Sequence, residues 1–208
     1  MIDLPFPQVR ARETSWPAYY EAISGRPARA LLKRLLDRAP TPGPGMLALD
    51  LGCGDGTETE ALARTGWPVT AMDVTPEAVE LTRGRCRAMS HVEVVQSSFA
   101  DFEFPAADLV YAGLSLPFGP GAEFSDVWRR LRAALRPGGV LAMHLLGERD
   151  SWAPDASKTF VDGSALPALL RGLEVLEVRE LDEDGEAFGG AKHWHVFEVI
   201  VRRPHPAG

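Results

Sequence analysis

Five residues, Gly52-Cys53-Gly54-Asp55-Gly56, alternate glycine with other side chains directly after the apolar run "MLALDLG" at 46–52. Glycines at this spacing let the main chain turn tightly and let another group approach it closely. Phosphate is the usual occupant of such a strand-to-helix turn. The dinucleotide fingerprint, however, sets its third glycine three residues beyond the second, so that a pyrophosphate rests on the helix N-terminus. Here that gap is two, and Asp55 and Glu58 add negative charge beside the turn, which disfavours phosphate. A tight turn needs glycine in any case, so a purely structural reading stands beside the ligand reading. Two carboxylates favour the ligand: Asp50, two residues before the loop, and Asp73, at the end of the next apolar run. A carboxylate at the end of that second strand points into the crevice and can accept hydrogen bonds from two vicinal ribose hydroxyls. Capping of the following helix is its alternative role, but Thr75 already fills that position.

The elements that would hold these groups alternate in kind. A short helix is expected from Trp16 to Ser24 and a stronger one over 28–38, where Leu31, Leu32, Leu35 and Leu36 recur at helical spacing. Residues 1–15 read as irregular because of Pro5 and Pro7, and 39–45 as a connector. Strands follow at 46–52, 68–74, 91–97, 107–114 and 140–146. Helices fall between them at 57–66, 75–90 and 121–139. A last helix is expected at 164–172, then a strand at 174–181, an acidic hairpin turn "DEDGEAFGG" and a closing strand at 192–201. Alternating strands and helices imply parallel strands joined by right-handed crossovers. The tight final connection turns the last strand antiparallel. The expected fold is an α/β, Rossmann-like, doubly wound sheet of about seven strands, with its ligand crevice at the strands' carboxyl ends. A single domain is expected over 1–208, with 1–45 as a helical lid segment and 46–208 as the core.

Composition narrows the partners. The 208 residues are 45% hydrophobic and 25% charged, with a formal net charge of −7. That balance opposes a nucleic-acid backbone or an anionic membrane as partner. The cluster Arg129, Arg130 and Arg132 reads as a solvated helix face. Cys53 and Cys86 make neither a disulfide framework nor a zinc site; Cys53 reads as a loop filler and Cys86 as a core-facing helix residue. No signal peptide and no apolar run of roughly 20 residues is evident, so a cytoplasmic location is expected. His193 and His195 share a strand face that continues with Phe197, Val199 and Val201. They read as core or rim residues, and no metal site is expected.

The segments "ALDLGCGDGTE", "VTAMDVTPEAVELTR", "ADLVYAGLSLPF" and "LRPGG", in this order between Leu47 and His144, resemble the ordered motifs of class I S-adenosylmethionine-dependent methyltransferases. The flanks "YYEAISGRPARALL", "GERDSWA" and "KHWHVF" are similar to those of small bacterial members related to the tellurite-resistance type. The resemblance implies S-adenosylmethionine as cofactor and a glycine loop (Gly52, Gly54, Gly56) lying beside its methionyl and ribose parts. It further implies that Asp73 holds the ribose hydroxyls, Val74 packs on the adenine, and Asp50 faces the amino group, directly or through water. Arg26 takes the carboxylate by the same analogy. "SSF" stands where many relatives have Gly-Asp-Ala. Ser98 therefore replaces the carboxylate that often meets the adenine amine, with Asp101 as a possible substitute, while Phe99 offers its backbone N–H. Leu114 lines the pocket through its backbone.

A sulfonium already makes its methyl electrophilic, so placement and exclusion of water are the protein's main tasks, and a general base is needed only for a protonated acceptor. Loops over the crevice should build the acceptor site: Tyr19 and Tyr20 from the N-terminal segment, 115–120 as a floor, and His144, Arg149, Asp150 and Trp152 beyond the fifth strand. Arg149 and Asp150 could also simply pair with each other. The expected acceptor is a small molecule, because the chain is barely longer than the catalytic fold. An NAD-dependent oxidoreductase and a non-catalytic binder of the same cofactor are the competing readings. The acceptor's identity and the oligomeric state stay open.

Overall fold

A computed structural model describes residues 16–206; the expectation of an irregular 1–15 lies outside them. Helices α1 (Trp16–Ala22) and α2 (Ala30–Leu36) precede β1 (Ala48–Leu51), α3 (Thr57–Arg64), β2 (Val69–Asp73), α4 (Pro76–Cys86) and β3 (Val92–Gln96). Then come β4 (Ala107–Ala112), α5 (Gly121–Ala134), β5 (Leu135–Gly147), β6 (Phe160–Val161), α6 (Leu166–Leu169), β7 (Glu174–Ala187) and β8 (Gly190–Arg202). The sheet runs β3-β2-β1-β4-β5-β8-β7. The chain travels outward from β1 to β3, then returns to β1's other side as β4, so strand order reverses between β1 and β4. Loops leaving those two carboxyl ends must diverge, and that leaves a crevice.

Strand periodicity sorts the core. Leu49 and Leu51 of β1 face the side covered by α5, with Val110, Trp128 and Leu131. Ala48 faces the other side, with Leu31, Leu32, Leu35, Leu62 and Trp67. Asp50 shares the side of Ala48, and Thr59 of α3 donates to its carboxylate at 2.5 Å. A strand buried on both faces reads as a continuous apolar run, which is why an acid in its middle stands out. Thr75 caps α4 by accepting the Ala78 N–H, with Pro76 in the first turn.

Three expectations change. The sheet has eight strands: Phe160–Val161 pairs in parallel with the end of β5, a two-residue segment too short to show periodicity. Helix α5 stops at Ala134 and β5 begins at once, because Gly138 N–H bonds to the Arg203 carbonyl and Arg203 N–H to Gly139. The acidic stretch after residue 181 is strand, not turn. Strand β7 continues to Ala187 in antiparallel register with β8, with Asp182 held by Arg149 and His193 and Asp184 by His193.

Candidate functional site

The loop after β1 is folded back onto β2: Gly52 and Cys53 both donate N–H to the Met72 carbonyl, and Gly54 N–H bonds to Asp73 Oδ2 at 3.0 Å. The other Asp73 oxygen accepts from the N–H of Thr75 at 3.0 Å and its hydroxyl at 3.1 Å. Asp73 thus fixes both the loop and Thr75, the residue that caps α4, while lining the crevice. The glycines have separate reasons. At Gly52 (φ +75) a Cβ would lie 2.3 Å from Ser115 Cβ, and at Gly56 (φ +77) 2.9 Å from Thr82. Those two approaches come from the protein's own chain. Only Gly54 (φ +55) turns its bare face toward a ring, that of Tyr20 at 3.4 Å.

Asp50 is buried. Burial pushes its carboxyl up to about 7, the Thr59 bond opposes this, and Glu58 and Asp73 add to it. Glu58 takes both terminal nitrogens of Arg26 at 2.6 Å and the Arg29 main-chain N–H at 3.1 Å. Its burial is outweighed by these bonds, so it stays below the usual carboxylate range. Asp55 is held by Arg85 at 3.0 Å and lies 3.6 Å from Arg26.

A cavity of about 930 Å³ opens over this loop. It is lined by Arg26, Asp50, Gly52, Gly54, Asp73, Val74, Ser98, Phe99, Leu114, Tyr19, Tyr20 and Trp152 from the sequence expectations. Val74 stands 59% exposed there, an apolar side chain left uncovered at the crevice. Leu114 holds a left-handed backbone (φ +51). Its N–H donates to His144 Nδ1 at 3.2 Å, whose Nε2 lies 3.4 Å from Glu198.

Four expected residues do not line the cavity. Gly56 backs onto α4. His144 points into the sheet interior from β5, where burial lowers its pKa, and it reaches the crevice only through the Leu114 main chain. Arg149 turns outward to Glu180 at 2.6 Å and Asp182 at 2.7 Å. Asp150 is buried against Lys192, so Arg149 and Asp150 do not pair with each other. Ser98 lines the cavity, but its hydroxyl is committed to Asp101 at 2.6 Å, and Asp101 is not part of the lining. His193 is not a core residue; it pairs with Asp182 and Asp184 at 2.7 Å. Glu180, Asp182 and His195 bring ligand-type atoms within 4.8 Å of one another, and the Arg149 guanidinium binds all three.

Sequence reasoning missed Arg29, Tyr111, Lys158, Phe188, Lys192 and Trp194, all in the lining. Arg29 follows Arg26 by three residues in one segment, a spacing that could have flagged it. The others come from distant segments and carried no local signal. Arg130, read as solvated, instead donates to the carbonyls of Phe99 at 2.7 Å and Ala100 and Phe102 at 3.0 Å, steadying the loop after β3. Among the described residues, three buried side-chain polar atoms lack a hydrogen-bond partner: Arg26 Nε, Tyr111 OH and Ser115 Oγ. All three residues line this cavity. Polar groups left short at one place are satisfied by water or by a bound molecule.

Residues 48–139 match a family described as a methyltransferase domain. The trans-aconitate 2-methyltransferase of Paracidovorax citrulli is 36% identical over 138 residues, covering 64% of this chain and 50% of that protein. The chain thus spans about half the length of the curated relatives it matches. Among solved structures, the N-methyltransferase NodS of Bradyrhizobium japonicum with S-adenosyl-L-homocysteine superposes with a TM-score of 0.67 at 20% identity, covering 88% of this chain and 91% of that one. TehB of Haemophilus influenzae gives 0.72 at 15% identity, covering 91% and 67%. No helix among the described residues is long and apolar enough to cross a membrane.

Proposed function

We propose that the chain is a class I S-adenosylmethionine-dependent methyltransferase whose cavity methylates a small-molecule acceptor, a reading that the match of residues 48–139 to a methyltransferase domain supports. The observation that carries this reading is the convergence on one cavity of Asp73, the Gly52–Gly54 turn, the uncovered Val74 and every unpartnered buried polar side chain among the described residues. When bound, the cofactor supplies a methyl carbon already made electrophilic by the sulfonium.

The chain's own residues then bind, orient and exclude water. Asp73 Oδ2 accepts a single backbone bond and retains lone-pair capacity for a ribose hydroxyl, while Oδ1 already accepts two bonds from Thr75. Val74 offers an apolar surface to the adenine, and Phe99 offers its main-chain N–H. Asp50 faces the amino group, while Arg26, whose terminal nitrogens belong to Glu58, has Nε left for the carboxylate. Residues 16–45 serve as a lid at the cavity over a core formed by 46–206. Trp16 and Phe118 meet edge to face at 5.7 Å, and Phe118 and Trp152 at 6.1 Å. These rings keep water from the transfer, where placement alone is worth roughly 7–11 kcal/mol of the barrier. A volume of about 930 Å³ suits a nucleoside cofactor and a small acceptor together, and the net charge of −7 argues against a nucleic acid.

Calorimetric titration tests the cofactor. S-adenosylmethionine should bind in the micromolar range and NADH should not. Asp73→Asn should lose at least tenfold in affinity while still melting cooperatively. Binding of NADH alone would favour the oxidoreductase reading instead. Methyl transfer to any of a panel of thiols, phenols, amines, carboxylates and metalloid oxyanions would separate an enzyme from a non-catalytic binder.

A further inference from the structure

Three cations with buried side chains line the cavity: Arg26, Arg29 and Lys192. Two are neutralised. Arg26 is gripped by Glu58. Lys192 pairs with Asp150 and lies 4.2 and 4.1 Å from the Trp152 and Trp194 rings. Arg29 is different. It is 8% exposed, yet its guanidinium has no carboxylate partner among the described residues and makes one side-chain hydrogen bond, to the Tyr19 hydroxyl at 3.3 Å. Glu58, which feels the Arg29 charge, spends its oxygens on Arg26 and on the Arg29 main-chain N–H. Most of the five guanidinium N–H donors therefore have no acceptor among the described residues. An unpaired buried charge is costly, and such a group at a cavity wall is a candidate for a charge supplied by a ligand.

The surroundings define that ligand. Tyr111, within the electrostatic reach of Arg29, has an unpartnered hydroxyl; burial holds it well above the usual phenol range, so it stays a donor. Both residues line the cavity, and a planar guanidinium together with a phenol donor fits a carboxylate. Beyond them the walls are aromatic: Tyr19 meets Phe188 at 5.7 Å, and Trp152 meets Trp194 at 5.5 Å.

We propose that the methyl acceptor is a carboxylic acid with a planar apolar body, and that Arg29 and Tyr111 receive its carboxylate. This deepens the cofactor reading above and rests on it. Arg26 is left to serve the cofactor's own carboxylate.

The test uses the full chain saturated with S-adenosylhomocysteine, titrated with benzoate, trans-cinnamate and indole-3-acetate, each beside its carboxamide. At least one carboxylate should bind tenfold or more tightly than its amide. Arg29→Gln should erase that preference while the affinity for S-adenosylhomocysteine changes less than threefold. Tyr111→Phe, a smaller change that keeps the fold, should weaken the carboxylate at least threefold and leave the amide alone. Equal binding of acid and amide throughout overturns the proposal. So does a tenfold loss of S-adenosylhomocysteine affinity in Arg29→Gln, which would assign Arg29 to the cofactor. Failure of the wild type to bind S-adenosylhomocysteine, with the acid preference intact, would instead sink the cofactor reading and keep the carboxylate seat.

Discussion

Asp50→Asn should remove a pH dependence that the wild-type protein owes to one side chain. Asp50 is 1% exposed, and burial raises its carboxyl from 3.8 to about 7. The folded protein therefore holds this proton more tightly than the unfolded chain. Below pH 4 both states are protonated and the group contributes no difference. As pH rises from about 4 to 7 the folded state is progressively penalised, by an order-of-magnitude total of about 4 kcal/mol at about 1.4 kcal/mol per unit. The asparagine still accepts the Thr59 hydroxyl but never ionises, so its urea-unfolding stability should not share that decline. The same proton reports on the cofactor. If Asp50 must ionise to face the cofactor's ammonium, S-adenosylmethionine binding releases about 0.9 proton at pH 6 and about 0.1 at pH 8, and wild-type affinity rises about tenfold across that interval. Titration calorimetry in buffers of contrasting ionisation enthalpy reads the proton count directly. Parallel pH–stability curves for wild type and Asp50→Asn, or binding heats independent of buffer, would refute the reasoning.

Two further substitutions test the loop and its anchor. Gly52→Ala combines a φ of +75 with a Cβ 2.3 Å from Ser115 and should cost about 2–5 kcal/mol in urea unfolding. Gly45→Ala, at the same φ with nothing within 4 Å, should cost about 1 kcal/mol; equal losses would mean that the Ser115 contact is irrelevant. Arg26→Ala strands the buried Glu58 and should cost about 3–5 kcal/mol. Adding Glu58→Gln should recover part of it in a double-mutant cycle, and simple additivity would show the two side chains to be uncoupled.

Legibility from sequence tracked the range of the interaction. The strands at 48–51, 69–73 and 107–112 announced themselves because a parallel strand covered on both faces is a continuous apolar run. The Thr75-Pro76 helix start is equally local. The acidic run after residue 181 misled because its strand character comes from pairing with β8 and from Arg149 and His193, neither of which is a neighbour in sequence. Arg149 and Asp150, adjacent in the chain, turn to opposite partners, Glu180 and Lys192.

By itself, the sequence determined that a glycine turn flanked by Asp50 and Asp73 sits between the first strand and its helix, since backbone conformation and strand periodicity are properties of a few adjacent residues. Only the tertiary structure decided what each glycine is for and which charges are spent. Gly52 and Gly56 make room for Ser115 and Thr82, Glu58 neutralises Arg26, and Arg29 is left without an ion-pair partner among the described residues. Charge balance in a cavity depends on which distant side chains share its low-dielectric space, and that is fixed by packing rather than by spacing along the chain.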